Sequence, residues 1–210
     1  MKTDKIIKAG LIFENSKLLL QIISSLKNNH IIVAPTETRY GLLVRADNKT
    51  AIENLYEIKQ RPSSMPTAVF VKSLKEIDDL AIMNEISTKL TNRFLPGPLT
   101  LVLNTKIKFP EPVVVNNKIG IRYSPSEIIN KLVNAVDFPL TATSANLSGQ
   151  NENETIEEIY QTFGQKVGFY LDEGRLNSLS STVVDCSENR CRILRAGAID
   201  NDEIMDLLNI

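Results

Sequence analysis

Two cations near residue 60 could bind a phosphate group. Lys59 and Arg61 end a predicted helix and precede Pro62. A planar guanidinium fork and a compact ammonium together suit phosphate oxygens. Two cations also form an ordinary cap at the negative end of a helix dipole, so both interpretations stay open. The loop that follows would return the chain into a strand and hold both cations at a sheet edge.

Two polar stretches follow predicted strands and could orient a small ligand. Residues 35–42 (PTETRYGL) combine hydroxyls, a carboxylate and an arginine directly after a buried strand, where α/β sheets bind ligands. Residues 143–149 (TSANLSG) offer Ser144 and Asn146 as uncharged donors among small residues. From composition alone a plain loop explains the first stretch equally well, and a plain turn explains the second better.

Two further arginines end predicted strands, so their charged heads are expected at the rim of the sheet. Arg122 closes one strand and Arg195 another, and each alone is typical of a surface arginine. Together with Lys59 and Arg61 they could supply the positive charge that a triphosphate requires. The sequence contains no Walker or Rossmann glycine pattern, and His30, the sole histidine, has no nucleophile elbow to serve, which disfavours a hydrolase.

Apolar spacing predicts helices and strands interleaved along the chain, as in an α/β protein with a mixed sheet. Capping patterns mark three helix starts: Ser73 with Glu76, Ser124 with Pro125 and Glu127, and Thr155 with Glu158. Two late strands are close enough to pair as an antiparallel hairpin across Ser187, Glu188 and Asn189. The predicted helices are 18–26, 51–58, 74–80, 125–136, 155–163 and one after 200; the predicted strands are 31–34, 67–71, 99–103, 118–122, 139–143, 167–171, 181–185 and 192–194.

Composition fits one globular domain over residues 1–210. The chain is 42% hydrophobic and 23% charged with a formal net charge of −1, which excludes disordered and coiled-coil classes and a global positive field. No apolar run is long enough to span a membrane and no signal peptide is evident, so we expect a cytoplasmic protein. Two cysteines and one histidine are too few for a zinc site, so any metal chemistry must use oxygen ligands.

Seven motifs, in order, resemble the YrdC-like threonylcarbamoyl-adenylate synthase family, in its short single-domain form. The resemblance runs from about Ile31 to Ile199, nearly the whole chain. It implies a twisted mixed parallel/antiparallel α/β sheet with helices packed around it and a basic concave face. The motifs are PTETRYGL, KQRP with a second proline at Pro66, LPGPLTLVL, IGIR, TSANLSG, STVVD and ILRAGAI.

The resemblance also implies an activity and its site. Such enzymes are nucleotidyltransferases that use L-threonine, bicarbonate and ATP with Mg²⁺ to make threonylcarbamoyl-adenylate and pyrophosphate. The product goes to a separate transferase complex that modifies tRNA, and weak tRNA binding is compatible with this role. No protein nucleophile is needed. ATP would be held by Lys59, Arg61, Ser144, Asn146 and Arg195, and threonine by Thr38, Arg122, Ser144 and Ser181.

Two positions depart from the family pattern beside the expected threonine pocket. Phe70 stands where longer members have a histidine, and Arg39 replaces a small apolar residue. Two alternatives follow. The first alternative is a module of the same fold that binds tRNA or double-stranded RNA. The net charge of −1 argues against it, because RNA binding relies on positive charge. The other is a paralogue with a diverged carbamoyl-adenylate activity, against which the intact Ser144 to Asn146 tripeptide argues.

Overall fold

The computed structural model of the protein describes residues 4–188 and 190–209. The helices are α1 Leu11–Glu14, α2 Ser16–Lys27, α3 Lys49–Lys59, α4 Leu74–Leu80, α5 Glu85–Phe94, α6 Glu127–Ala135, α7 Ile156–Phe163 and α8 Asn201–Leu208, with a 3-10 turn at Gly164–Lys166. The strands are β1 Ile6–Lys8, β2 Ile31–Pro35, β3 Tyr40–Leu43, β4 Ala68–Phe70, β5 Ala81–Ile82, β6 Leu99–Thr105, β7 Val114–Val115, β8 Lys118–Arg122, β9 Leu140–Ser144, β10 Val167–Asp172, β11 Thr182–Asp185 and β12 Arg192–Arg195.

One mixed sheet runs through these strands in the order β1-β10-β2-β3-β9-β4-β8-β6-β11-β12, with β5 on β6 and β7 on β8. The β4–β8 and β6–β11 pairs are parallel, whereas β6–β8 and β3–β9 are antiparallel. The mixed α/β prediction is therefore confirmed. The predicted hairpin is also confirmed, because β11 and β12 pair antiparallel, although Asn189 of its turn lies outside the described residues.

Side chains alternate between the two faces of the sheet, and the side chains on one face are larger than those on the other. On β8, Ile119 and Ile121 point into a large apolar core, and on β6 Leu101 does the same. The residues between them, such as Gly120, are small or polar and belong to the opposite face. Burial of the leucine and isoleucine side chains thus fixes the register of the strands. The intervening side chains lie on the opposite face, where they can line a ligand site.

Helices cover the two faces unequally. The large-residue face packs on apolar side chains of α3, α5, α7 and α8. The other face packs on α2 and α6, whose side chains meet β2, β3, β9 and the Phe70 end of β4. The second face therefore changes along the sheet from a covered core to a surface beside β8, β6 and β11. None of the helices in the described part is long and apolar enough to cross a membrane.

One predicted helix cap and one predicted capping-box partner differ from the structure. The helix expected to be capped by Ser124 is capped by Ser126 instead, because the Ser124 hydroxyl is occupied by Glu37 and by the N–H of Ser126. Ser73 caps α4 as predicted, but the Glu76 carboxylate accepts from the N–H of Lys72, one residue earlier than in a capping box.

The capping box of Thr155 with Glu158 is confirmed at the start of α7.

A strand was missed inside the PTETRYGL stretch. Residues 40–43 form β3, which pairs with β2 so that Pro35 faces Tyr40. The four residues between them make a tight turn, in which the Thr36 hydroxyl accepts from the N–H groups of Thr38 at 3.1 Å and Arg39 at 3.2 Å. A side-chain hydroxyl that bonds its own backbone in this way stabilises a turn. The stretch is therefore a rigid hairpin tip and not an open loop.

Candidate functional site

A cavity of about 440 Å³ lies on the uncovered part of the second face. Its floor contains four small residues from neighbouring strands, and small residues leave the sheet surface hollow. The cavity lies within the range typical of small-molecule sites. Its wall carries five cations and one carboxylate, Asp185. The four floor residues are Gly41, Ala68, Gly120 and Ala142, and the five cations are Arg39, Arg61, Lys118, Arg122 and Arg195.

Arg122, the last residue of β8, is fixed on several sides at one end of the cavity. Its Nη2 donates to Glu37 and, at 3.3 Å, to the hydroxyl of Thr38. Its guanidinium carbon lies 5.2 Å from the centre of the Phe70 ring. The Nε of Arg122 is buried and has no hydrogen-bond partner among the described residues. A buried unpartnered donor is costly, and an oxygen of a ligand would relieve that cost.

Arg195 lies three strands away, at the end of β12. Its Nε and Nη2 donate to the carbonyl oxygen of Ser181 at 3.1 and 2.7 Å, and Nη2 also donates to the Ser181 hydroxyl at 3.0 Å. That hydroxyl lies 2.8 Å from the hydroxyl of Thr100. Because Thr100 faces Arg122 across the β6–β8 ladder, the four side chains form a polar row across adjacent strands.

Arg61 closes a third side of the cavity. Its Nε donates to the carbonyl of Met65 at 3.0 Å, and its Nη2 donates to the carbonyl of Pro66 at 2.9 Å. These bonds fold the 62–66 loop around the guanidinium, which forms no ion pair with a carboxylate within residues 4–188 and 190–209. Burial lowers the pKa of Arg195, Glu152 opposes this shift, and the positive charges of Arg122 and Arg61 add to it. Arg195 is therefore close enough to Arg122 and to Arg61 to be repelled by both.

Lys59 occupies a different place from the other predicted cations. Its side chain is buried, with 1% exposure, and it is not part of the cavity wall. Its Nζ donates to the carbonyl oxygens of Ser144 at 2.5 Å and Asn146 at 2.8 Å. Burial, followed by the positive charge of Arg61, lowers the pKa of Lys59 to about 7, while Glu152 opposes the shift. Lys59 thus supports the TSANLSG loop from behind.

The TSANLSG loop is held by its own side chains as well. The Ser144 hydroxyl donates to Oδ1 of Asn146 at 2.6 Å. The Nδ2 of Asn146 donates to the carbonyls of Leu147 and Gln150 at 3.0 and 2.8 Å. Ser144 lines the cavity, whereas Asn146 lies behind it. Among the residues predicted to bind ligands, Thr38, Arg61, Arg122, Ser144, Ser181 and Arg195 line the cavity, and Lys59 and Asn146 support it.

The two departures from the family pattern both lie at this site. Phe70 forms the apolar platform beneath the Arg122 guanidinium. Arg39 points toward the 150–154 loop, where its Nε lies 3.2 Å from Glu152 and its Nη1 lies 3.3 Å from Glu154. Glu152 also accepts from the hydroxyl of Ser180, so these contacts tie two loops beside the cavity together.

Sequence reasoning missed Thr100 and Lys118, and it named Glu37 only as the carboxylate of the PTETRYGL stretch, without its partner Arg122. Glu37 holds Arg122, Thr100 bonds Ser181, and Lys118 forms a 3.0 Å ion pair with Asp185 in the cavity wall. Period-2 alternation is the signal for Thr100 and Lys118, because each occupies a position that alternates with leucine or isoleucine in its strand. No local pattern predicts the ion pair of Glu37, whose partner is 85 residues away.

Other polar residues named from the sequence lie in ordinary surroundings. His30 is exposed at the start of β2, and Cys186 and Cys191 are free thiols beside the β11–β12 hairpin. Over residues 4–188 and 190–209, no three His, Cys, Asp or Glu side chains are grouped to hold a metal ion.

Comparisons with a family model and with named proteins all indicate similarity to the same family. The Sua5/YciO/YrdC family model, described as "Telomere recombination", matches residues 24–197. A Methanocaldococcus jannaschii protein named "Putative threonylcarbamoyl-AMP synthase" is 34% identical over 187 residues, which cover 89% of this chain and 88% of that protein. A Bacillus subtilis protein named threonylcarbamoyl-AMP synthase is 31% identical over 194 residues, which cover 90% of this chain and 56% of that protein.

A solved structure agrees with these sequence matches. The crystal structure of Pyrococcus abyssi Sua5 complexed with L-threonine has a TM-score of 0.81 and 30% identity to this chain. The match covers 90% of this chain and 57% of that one. The chain therefore spans little more than half the length of these longer relatives.

Proposed function

The chain belongs to the Sua5/YciO/YrdC family, and on that premise we propose that it is a threonylcarbamoyl-AMP synthase. In this reaction L-threonine, bicarbonate and ATP yield threonylcarbamoyl-adenylate and pyrophosphate, which makes the enzyme a nucleotidyltransferase. The names of the relatives that match most of this chain support the proposal, as does the likeness to a Sua5 crystallised with L-threonine.

The observation that carries the proposal is the convergence of three guanidiniums on one cavity. Arg61 and Arg195 have no carboxylate partner in the part of the chain that the structure describes, and both donate to neutral oxygens. Holding like charges around one cavity is unfavourable because they repel one another, and an anion bound between them removes that repulsion. A triphosphate meets this need, because its oxygens accept several charge-assisted hydrogen bonds at once. A basic concave face that attracts ATP is part of the proposal.

The Arg122 end of the cavity suits the amino acid. A guanidinium with a free buried Nε–H can receive a carboxylate, and the hydroxyls of Thr38 and Ser181 can bond the hydroxyl and amine of threonine. The hydroxyl of Ser144 lies in the wall between this end and the loop that Lys59 and Asn146 support. Lys59 and Asn146 would serve ATP by fixing that loop.

The chemistry needs positioning and charge neutralisation more than a protein nucleophile. The threonine amine displaces water from bicarbonate and becomes a carbamate. A carbamate oxygen then forms a bond to the α-phosphorus of ATP, and the bond from that phosphorus to the β-phosphate bridging oxygen breaks, with its electron pair leaving on pyrophosphate. Arg61 and Arg195 would stabilise the charge that develops on the phosphates, and the fixed Arg122 would align the nucleophile.

Mg²⁺ enters the proposal as part of the ATP substrate. Mg²⁺ bound with a nucleotide is ordinarily well hydrated, so it would need few protein ligands here and would neutralise part of the phosphate charge. The residues around the cavity fit this role, because their cations and hydroxyls complement phosphate oxygens and leave the ion to the nucleotide.

The partners are proposed from the same premise. Threonylcarbamoyl-adenylate is a mixed anhydride that hydrolyses readily, so a transferase must take it up soon after release. That acceptor would be a tRNA-modifying transferase complex in the cytoplasm, and a weak contact of this protein with tRNA is compatible with the handover.

Pyrophosphate release from ATP tests the proposal directly. Purified protein is given L-threonine, bicarbonate and ATP with Mg²⁺, and each component is then omitted in turn. We expect release only when all are present, together with a product of the mass of threonylcarbamoyl-adenylate. Arg61→Ala should lower the rate at least about 10-fold, because it removes charged hydrogen bonds of about 1.5–3 kcal/mol. Arg93→Ala, which removes an exposed arginine, is the matched control.

The alternatives give different outcomes in the same experiment. A paralogue with another substrate would release pyrophosphate with a different amine in place of threonine. An RNA-binding module would release none and would bind RNA with strong salt dependence. Either result would overturn the proposed activity.

A further inference from the structure

Glu37 has contacts that suggest a specific task at the cavity. One carboxylate oxygen accepts from Nη2 of Arg122, and the other accepts from the hydroxyl of Ser124. The same Ser124 hydroxyl accepts from the N–H of Ser126, which caps α6. Both oxygens of Glu37 are therefore held, and the carboxylate is tied to a helix start and not only to the arginine.

The position of Glu37 relative to the cavity shows which side of Arg122 it holds. Arg122 lines the cavity, but Glu37 does not, although its neighbours Thr36 and Thr38 do. The side chains of Arg122 and Glu37 are 9% and 12% exposed. Glu37 therefore contacts the guanidinium on the side away from the cavity, while the Phe70 ring packs against one face of it.

This arrangement leaves part of the guanidinium available. Nη2 is used by Glu37 and Thr38, whereas the buried Nε has no partner among residues 4–188 and 190–209. A guanidinium that is anchored through one nitrogen keeps a defined orientation and presents its remaining donors in a fixed plane. A carboxylate oxygen that accepts from the free Nε must lie in that plane, so the fixed orientation defines where the carboxylate binds.

We propose that Glu37 is a positioning residue that fixes the Arg122 guanidinium, and with it the free Nε–H, for the carboxylate of the amino-acid substrate. The proposal rests on the proposed function for the identity of that substrate. In this proposal Glu37 contacts no ligand itself and acts on the substrate carboxylate only through Arg122. Preorganisation of this kind is expected to improve recognition of the carboxylate and to leave recognition of the phosphates unchanged.

The test compares L-threonine with L-threoninamide, which lacks the carboxylate charge, in the pyrophosphate-release assay. The wild type should prefer threonine, and Glu37→Gln should lower that preference in kcat/KM at least about 10-fold, with the KM for ATP changed less than about 3-fold. A merely structural role would lower kcat/KM for both substrates equally, and that result would overturn the proposal.

Asp172→Asn is the matched control. Asp172 is 13% exposed, pairs with Lys8 at the other side of the sheet, and is not part of the cavity wall. Its substitution removes an equally buried carboxylate charge and should leave the preference for threonine within about 2-fold of the wild type. An equal loss of preference in both variants would assign the effect to stability and would overturn the proposal.

A second variant keeps the test decisive if Glu37→Gln fails to fold. Ser124→Ala removes the hydroxyl that holds the second oxygen of Glu37 and leaves every charge in place. It should lower the preference for threonine about 3-fold, and an unchanged preference would overturn the proposal. The outcomes are separable from failure of the proposed function, because in that case the wild type itself shows no turnover with threonine.

Discussion

The two ends of the cavity treat positive charge in opposite ways. At one end Arg122 is neutralised by Glu37 inside the protein and fixed by Thr38 and Phe70. Arg195 at the other end and Arg61 on the third side donate to carbonyl and hydroxyl oxygens, and neither forms an ion pair with a carboxylate among the described residues. The first arrangement fixes the orientation of a guanidinium, and the second leaves positive charge available to an anionic ligand. A carboxylate is a weaker anion than a triphosphate and needs a well-oriented partner, whereas a triphosphate needs compensating charge.

The largest expected difference between the two ends is in stability. Arg122→Met leaves the Glu37 carboxylate buried without its partner and should lower the free energy of unfolding by about 3–5 kcal/mol. Arg195→Met leaves only neutral oxygens beside a water-accessible cavity and should lower it by about 1 kcal/mol. Urea unfolding of both variants measures the difference.

Adding Glu37→Leu to Arg122→Met should recover most of the lost stability, because the unpaired carboxylate is then gone. Equal losses for Arg122→Met and Arg195→Met, or no recovery in the double variant, would show that the two ends do not differ in this way.

The next difference is in ATP binding. Arg195→Met should weaken binding of a non-hydrolysable ATP analogue with Mg²⁺ by about 1.5–3 kcal/mol, or about 10- to 100-fold in Kd. The reason is that Arg195 forms no ion pair with a carboxylate among the described residues and is influenced by Glu152 only at a distance. Isothermal titration calorimetry measures this effect, with Arg93→Met as the control for loss of an exposed arginine. A Kd within about 2-fold of the wild type would place the triphosphate elsewhere.

The last comparison concerns pH and Lys59, which supports the wall between the two ends. Its pKa is lowered from an ordinary value near 10.5 to about 7, chiefly by burial. Between these values the unfolded chain binds more protons than the folded one, so Lys59 makes stability rise with pH from about 7 to about 10. Below pH 7 its full cost is present in the folded protein.

The measurement is the difference in unfolding free energy between the wild type and Lys59→Met at several pH values. The variant should be relatively more stable at pH 6.5, and its advantage should shrink toward pH 9.5. This subtraction removes the opposite contribution of Cys186, whose pKa is raised to about 12 by burial. A constant difference across the range would mean that Lys59 titrates as an exposed lysine.

The sequence predicts the site where local pattern is enough and misses it where distant residues meet. Arg122 and Arg195 were expected at the sheet rim because each ends a strand, and both line the cavity. The ion pair of Arg122 with Glu37 joins residues 85 positions apart, so no local pattern reveals it. Lys59 was expected either to cap its helix or to bind ATP at a sheet edge, but tertiary contacts with two carbonyls bury it behind the cavity.

The fold shows the same division between local and tertiary information. Long periodic segments such as the helix beginning at Ser16 were predicted nearly to their ends. Strand β3 was missed because its glycine and aromatic residues gave no clear alternation and because the turn before it depends on the Thr36 hydroxyl. The start of α6 was placed wrongly because Ser124 and Ser126 are equally good caps until Glu37 engages one of them.

The hollow floor of the sheet has a consequence for how such a site can change over generations. A Cβ added to Gly120 would lie 3.0 Å from the Cβ of Ala68, so the two positions share one small volume. Growth at one position is tolerated only while the other stays small, which links their mutational histories. Laboratory evolution toward smaller substrates would therefore begin at Ala142 or Ala68 singly, and Gly120 would accept change only after Ala68 had become glycine.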